Sequence, residues 1–291
     1  MKLATVLYRD QQLLASVDDA AGVVRFLSDD LSALGMLGLI RRWGELSGQL
    51  AHSGTEAALS DVVFLAPLPQ PPRNIMCVGK NYHAHAQEFT RSGFDSSASS
   101  VADAIPQAPI IFTKAPETVI GHDAEVRIPH GLSSAIDYEA ELGVIIGKGG
   151  RGITAENALD HVWGYTIIND VTARDMQSKH KQWFLGKSLD TFCPMGPVAV
   201  TADAIRLDDT GLRCRVNGEL RQDANTRDLI FDVPTLIATI SAGLTLVPGD
   251  VIATGTPAGV GIGFTPPRYL ATGDVVEIEI DGIGRLSNRF N

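Results

Sequence analysis

Two glutamates spaced two residues apart, Glu139 and Glu141, sit in the run Tyr138-Glu139-Ala140-Glu141-Leu142-Gly143-Val144-Ile145-Ile146-Gly147. In an extended chain such residues face the same side. The two carboxylates therefore project together, while Ala140 and Leu142 project to the other face. Leading into an apolar strand, the pair repels itself unless a positive charge lies between; on a solvated sheet face it would need none. A third acid, Asp170, ends a second apolar run, Trp163-Gly164-Tyr165-Thr166-Ile167-Ile168-Asn169-Asp170. Three oxygen donors with neither Cys nor His among them suit a hard ion such as Mg²⁺, Mn²⁺ or Ca²⁺ rather than Zn²⁺. Mg²⁺ normally keeps water-filled positions that a substrate can take.

The segment Asn81-Tyr82-His83-Ala84-His85-Ala86-Gln87-Glu88 supplies a candidate base. On a helix, His85 and Glu88 share a face, and a carboxylate beside an imidazole raises its basicity and fixes its tautomer. His83 falls on a different face. Two lysines, Lys187 after Phe184-Leu185-Gly186 and Lys114 after Ile110-Ile111-Phe112-Thr113, would hold a carboxylate or steady an enolate if directed into a pocket. At a strand end such a lysine is otherwise simply solvated. The glycine-rich run Gly255-Thr256-Pro257-Ala258-Gly259-Val260-Gly261-Ile262-Gly263 has neither GxGxxG spacing nor a GK[ST] ending, which excludes a dinucleotide or ATP loop. Its glycines are expected to let backbone amides and the Thr256 hydroxyl approach a ligand closely.

The elements that must position these groups are mostly strands. Residues 1 to about 70 read as a small α+β unit: a hairpin from Leu3–Leu7 and Leu13–Val17, then a helix with apolar residues at Leu31, Leu34, Met36, Leu37, Leu39 and Ile40. Pro67-Leu68-Pro69-Gln70-Pro71-Pro72 can continue neither a helix nor a central strand, and marks a boundary to a second unit over 71–291. There, strands are expected at Asn74–Val78, Ile110–Thr113, Tyr138–Ile146, Trp163–Asn169, Val198–Thr201, Leu212–Val216, Val251–Thr254 and Val275–Ile280. One helix lies near Val233–Leu244, with Pro234 in its first turn. Strand after strand with few helices predicts an α+β, β-rich fold: a mixed β-sandwich or roll rather than a doubly wound sheet. Phe89–Pro109, with its Ser- and Gly-rich centre and no periodicity, reads as a mobile surface loop and a candidate lid.

The bulk composition agrees with a soluble enzyme. The chain has 291 residues, 44% hydrophobic and 20% charged, with a net charge of -10. That acidity argues against nucleic acid or an anionic membrane as the main partner. Cys77, Cys193 and Cys214 form no CxxC pair, which points to reduced thiols rather than disulfides or zinc. No apolar run approaches the roughly 18 residues of a membrane span. Charge interrupts the N-terminus too early for a secretory signal, so the cytoplasm is the expected location.

Taken in order, these segments resemble the fumarylacetoacetate hydrolase family from about Arg73 to the C-terminus. The matching pieces include Gly79-Lys80-Asn81-Tyr82 with His85 and Glu88, Phe112-Thr113-Lys114, Tyr138-Glu139-Ala140-Glu141-Leu142, Asn169-Asp170, Thr172-Ala173-Arg174-Asp175-Met176-Gln177, Gly186-Lys187-Ser188, Val216-Asn217-Gly218-Glu219, Pro248-Gly249-Asp250 and Gly255-Thr256-Pro257. The resemblance implies a β-roll catalytic domain, usually a homodimer, with Mg²⁺ or Mn²⁺ on Glu139, Glu141 and Asp170. It implies catalytic roles for His85 and Glu88 on a short lid helix, and substrate contacts from Lys187, Arg174, Gln177 and Thr256. Fumarylacetoacetases proper carry a further metal-site Asp seven residues before the His. Here that residue is Val78, which places the chain with the acylpyruvase-like and 2-hydroxyhepta-2,4-diene-1,7-dioate isomerase-like branch.

The expected substrate is a small 2-oxo acid, and the reading is hydrolysis of a C–C bond in a 2,4-dioxo acid of the acylpyruvate type. His85 would activate water, and the metal with Lys187 would spread the charge of the departing pyruvate enolate. Isomerisation of an unsaturated 2-oxo diacid, or decarboxylation of an oxaloacetate-like acid, reaches the same enolate with nearly the same residues.

Overall fold

The computed structural model describes residues 1–93 and 103–291. The centre of the expected mobile loop, residues 94–102, therefore lies outside the described residues. Twelve strands join in one mixed sheet. Along its main path lie His52–Ala58, Val23–Leu27, Gln11–Asp18, Lys2–Tyr8, Cys193–Thr201, Val162–Asn169, Ala140–Ile146, Val251–Ala253, Ile75–Gly79 and Ile110–Lys114.

The central strand Ala140–Ile146 is buried throughout. It reads as a nearly unbroken apolar run because both faces of the sheet are covered. Its alternation sorts side chains between two cores. Ala140, Leu142, Val144 and Ile146 join one apolar cluster with Tyr165 and Ile167. Ile145 joins a second cluster with Ile75, Cys77 and Ile168. Glu141 shares the parity of Ile145, so it sits on the second face.

A four-stranded antiparallel sheet, in the order Glu219–Asn225, Gly211–Val216, Val275–Ile280 and Gly284–Arg289, covers the first core. Its Leu212, Cys214, Val216, Val276, Ile278, Ile280 and Leu286 pack into the same cluster as Leu142 and Val144. This sheet-on-sheet packing with few helices is the α+β, β-rich architecture that the strand pattern predicts. The helix Val233–Gly243 begins where Asp232 accepts the Thr235 amide at 2.9 Å, with Pro in the first turn, as its sequence requires.

The N-terminal hairpin turns tightly through Arg9 and Asp10, both left-handed at φ 49 and 64, which brings Tyr8 opposite Gln11. Such a two-residue turn matches the twist of the flanking strands. Its first strand pairs with Cys193–Thr201, Lys2 opposite Val200, so one hydrogen-bonded sheet runs from the N-terminal strands into the rest of the chain. The helix Asp29–Arg41 follows, kinked at Gly35 (φ 63).

Three local differences from the sequence reading bear on the site. The strand expected from Tyr138 begins at Ala140, because Ile136–Asp137 pairs separately with Thr172–Ala173. The loop expected from Phe89 is still helix at that residue, within His83–Arg91. Two short helices, Arg174–Lys179 and Phe184–Lys187, were not foreseen. No helix among the described residues is long and apolar enough to cross a membrane.

Candidate active site

Glu139 lies just before one central strand and Asp170 just after its antiparallel neighbour. Ala140 is opposite Asn169, and the Asp170 amide donates to the Glu139 carbonyl at 2.9 Å. With Glu141 two residues on, all three carboxylates converge. They are buried, and one oxygen of each lies within 4.8 Å of the others.

Protein cations already balance two of the three. Lys187 Nζ is 2.8 Å from Glu139 Oε2 and 2.7 Å from Asp170 Oδ2. Arg174 Nη2 is 2.7 Å from Glu139 Oε1. Burial alone would raise the Glu139 carboxyl, but Lys187 and Arg174 outweigh it and hold it down at about 2. Burial likewise opposes the Lys187 charge, yet Asp170 and Glu139 move that ammonium above its usual value.

Glu141 differs. It forms no ion pair among the described residues and accepts only the Gly255 amide, at 2.8 Å. Burial, then Asp170 and Glu139, push its carboxyl well above the ordinary range. A buried carboxylate short of positive charge, beside two others in an all-oxygen set, fits a hard divalent cation.

Lys114 does not face the cavity. Its ammonium lies 2.7 Å from Asp170 Oδ1 and 3.0 Å from the Val171 carbonyl, with a third bond to the Lys187 carbonyl. All three protons are used. The substrate contact expected of Lys114 is therefore replaced by a supporting one, behind Asp170.

His85 is buried on the helix His83–Arg91, whereas His83 is exposed. His85 Nδ1 is 3.4 Å from Glu88 Oε2. Glu88 accepts the Gly259 amide at 3.0 and 3.2 Å. The glycine run thus serves the protein's own carboxylates rather than a ligand: Gly255 serves Glu141, Gly259 serves Glu88, and Gly261 and Ile262 serve Asp137 at 2.6 and 3.0 Å. A Cβ at Gly263 would come within 2.0 Å of Glu88 Oε1, so a side chain there must displace the Glu88 carboxylate.

A cavity open to solvent is lined by His85, Glu139, Glu141, Arg174, Gln177, Lys187 and Thr256, among others. Of the ten residues singled out from the sequence, Lys114, Glu88 and Asp170 do not line it, although Glu88 and Asp170 contact residues that do. Gln177 accepts from Arg174 Nη1 at 3.2 Å, which leaves its amide protons for a ligand. Thr256 Oγ1 accepts from Gln222 Nε2 at 2.8 Å, which leaves its hydroxyl proton to donate.

Sequence reasoning missed several supports. Asp137 anchors Arg174 Nε at 2.8 Å. Gln222 joins the Ala140 amide to Thr256 and the Pro257 carbonyl. Lys80, buried in left-handed backbone at φ 57, also lines the cavity, as do Phe89, Phe112 and Trp183. The sequence carries a signal for two of these, Lys80 in the Gly79–Tyr82 motif and Phe112 in Phe112-Thr113-Lys114.

Comparison with known proteins matches this geometry to relatives. Residues 74–291 match the family model for the C-terminal domain of fumarylacetoacetate (FAA) hydrolase. The oxaloacetate tautomerase YisK of Bacillus subtilis is 53% identical over 234 residues, 80% of this chain and 74% of that protein. The fumarylacetoacetate hydrolase of the psychrophile Exiguobacterium antarcticum superposes with a TM-score of 0.85 at 41% identity, covering 100% of this chain and 99% of the other. The 2-hydroxyhepta-2,4-diene-1,7-dioate isomerase of Mycobacterium marinum superposes at 0.77 with 34% identity, covering 100% and 98%.

Proposed function

The chain belongs to the fumarylacetoacetate hydrolase family, and from that premise we propose that it interconverts the keto and enol forms of a small 2-oxo diacid of the oxaloacetate type. Glu139, Glu141 and Asp170 would hold a divalent cation, Mg²⁺ or Mn²⁺. When bound, that cation supplies Lewis-acid stabilisation of negative charge developing on the 2-oxo group. The observation that carries this reading is that one imidazole, His85, lines the same cavity as Glu139 and Glu141 of the carboxylate triad.

Enolisation needs one group that takes a proton from carbon and returns it to oxygen. With its Nδ1 proton directed at Glu88, His85 presents the Nε2 lone pair for that task. Glu88, fixed by the Gly259 amide, orients the ring and stabilises the imidazolium that forms. The remaining protons of Gln177 and Thr256 would donate to carboxylate oxygens of the substrate. Arg174 and Lys187 keep the pocket attractive to an anion while they brace Glu139. The tautomerase name of the Bacillus subtilis relative supports the same choice.

The test is the decay of oxaloacetate enol absorbance with Mg²⁺ or Mn²⁺ and purified protein. Metal-dependent acceleration over the solvent-catalysed rate is expected; no acceleration at saturating metal would remove the proposal. Hydrolysis of an acylpyruvate is the second reading, favoured by the same His85–Glu88 pair, which can equally activate water. Formation of pyruvate plus a carboxylic acid from an acylpyruvate would select it.

A further inference from the structure

One wall of the cavity is aromatic, and the proton transfer described above makes no use of it. Trp183 ends the polar run Ser178-Lys179-His180-Lys181-Gln182 and immediately precedes the helix Phe184–Lys187 that carries Lys187. Its indole meets Phe112 at 5.2 Å and Phe89 at 6.1 Å, both nearly edge-on. It lies so close over Gly79 that a Cβ there would come within 2.5 Å of the ring. Phe89 in turn stacks on His85, centroids 6.2 Å apart. The aromatic wall thus runs from the helix of His85 to the helix of Lys187, across the backbone at Gly79. Trp183 is only partly buried and packs with the small satellite cluster of Phe89, Val260 and Ile262, outside both main cores. An indole at that position covers the sheet only at Gly79 and Phe112 and forms part of the cavity lining.

Resting on the reading of the cavity as a 2-oxo diacid site, we infer that Trp183 is a chain-length filter. Its ring occupies the room that the tail of a longer diacid would need, and Gly79 is the concession in the backbone that lets the ring sit there. Exclusion of this kind works by steric conflict with the wrong ligand rather than by added attraction to the right one. A tryptophan contributes roughly 150–250 Å² of surface, far more than the few extra methylenes it must exclude. The smaller residues Phe and Leu at the same position keep an apolar contact with Phe112 and Phe89 while opening the cavity by stages.

The experiment is calorimetric binding of oxaloacetate, 2-oxoglutarate, 2-oxoadipate and 2-oxopimelate to the full chain with saturating Mg²⁺. The wild type is compared with Trp183→Phe, Trp183→Leu and Trp183→Ala, with circular dichroism to select the folded variants. In the wild type, affinity should fall by about tenfold or more from the shortest to the longest diacid, in line with the discrimination available to a pocket wall. The fall should shrink stepwise through Phe and Leu and vanish in Ala, as the longest diacid gains and the shortest loses a few-fold. A tryptophan that served only stability would weaken all lengths alike and leave the profile unchanged. An unchanged profile in the folded variants, or a wild type that binds the longest diacid as tightly as the shortest, overturns the filter alone. Failure of every 2-oxo diacid to bind the wild type overturns the reading of the site, and the filter with it.

Discussion

His85 Nδ1 lies 3.4 Å from Glu88 Oε2, and both Glu88 oxygens are themselves held by the Gly259 amide. The hydrogen bond from the glycine run leaves the carboxylate little freedom to leave the imidazole. His85→Ala should therefore lower kcat by roughly 10²–10⁴-fold, the usual worth of a positioned general base. Metal affinity should change far less, because the three carboxylates of the triad stay in place. Steady-state kinetics with calorimetric Mg²⁺ titration separates the two effects. Wild-type turnover in this variant would mean that another group moves the proton.

Gly263→Ala tests the same relationship without replacing a titratable group. Its methyl would meet Glu88 Oε1 at 2.0 Å and must displace the carboxylate. A misplacement near 1 Å costs on the order of 10²-fold when orientation matters. The expected outcome is a fall in kcat with oxalate affinity retained. Unaltered kcat would show that Glu88 is not needed to orient His85.

The carboxylate triad was legible because its signals are local. Glu139 and Glu141 share strand parity, and Asp170 caps an apolar run. The strands and the helix at Val233 could be read for the same reason: their periods and caps lie within a few residues of one another. The supports were not. Asp137 owes its role to Arg174 and to amides at Gly261 and Ile262, and Gln222 to Ala140 and Thr256, all distant in sequence. The helices Arg174–Lys179 and Phe184–Lys187 are too short for a helical period to register. Trp183 is a single aromatic in a polar run, and nothing local tells a wall residue from an exposed one. Lys114 could be seen as unusual, but only the fold turns it toward Asp170.

Lys114→Met isolates that structural role. It removes one cation from Asp170 and leaves two carbonyls, of Val171 and Lys187, without their buried donor. Breaking a buried pair from one side typically costs roughly 3–5 kcal/mol. Urea unfolding should show a loss of that order, with weaker metal binding because Asp170 is no longer held. Unchanged stability with lost 2-oxo acid binding would return Lys114 to the substrate.

Glu141 makes the metal's effect depend on pH. Its folded carboxyl is raised well above the ordinary 4.5, first by burial and then by Asp170 and Glu139. Between 4.5 and the raised value the folded state keeps a proton that the unfolded chain has lost, so the metal-free fold loses stability from this group as pH rises. Glu139 acts oppositely: held at about 2, its contribution is complete above 4.5 and is lost as pH falls toward 2. A cation relieves the Glu141 penalty and displaces its proton. The rise in Tm on adding Mg²⁺ should therefore grow from pH 5 to pH 8, and calorimetry in buffers of different ionisation enthalpy should detect proton release. In Glu141→Gln both effects should disappear. A Tm increment independent of pH would place the cation elsewhere.

Val78 offers a test from the other direction. It is buried and lines the same cavity as Glu139 and Glu141, at the position where fumarylacetoacetases carry a further acid. Val78→Asp would add a carboxylate to a cluster already short of positive charge. Without metal, an unpaired buried charge should cost roughly 3–5 kcal/mol or take up a proton, and the loss should lessen as pH falls. With metal, the extra oxygen donor should tighten binding and return much of the lost stability. The signature is thus a lower Tm for the metal-free variant together with a larger increment on adding Mg²⁺ than the wild type shows. A variant equally destabilised with and without Mg²⁺ would mean that the Val78 side chain is out of reach of the ion, and that the cation sits on the Glu139, Glu141 and Asp170 oxygens alone.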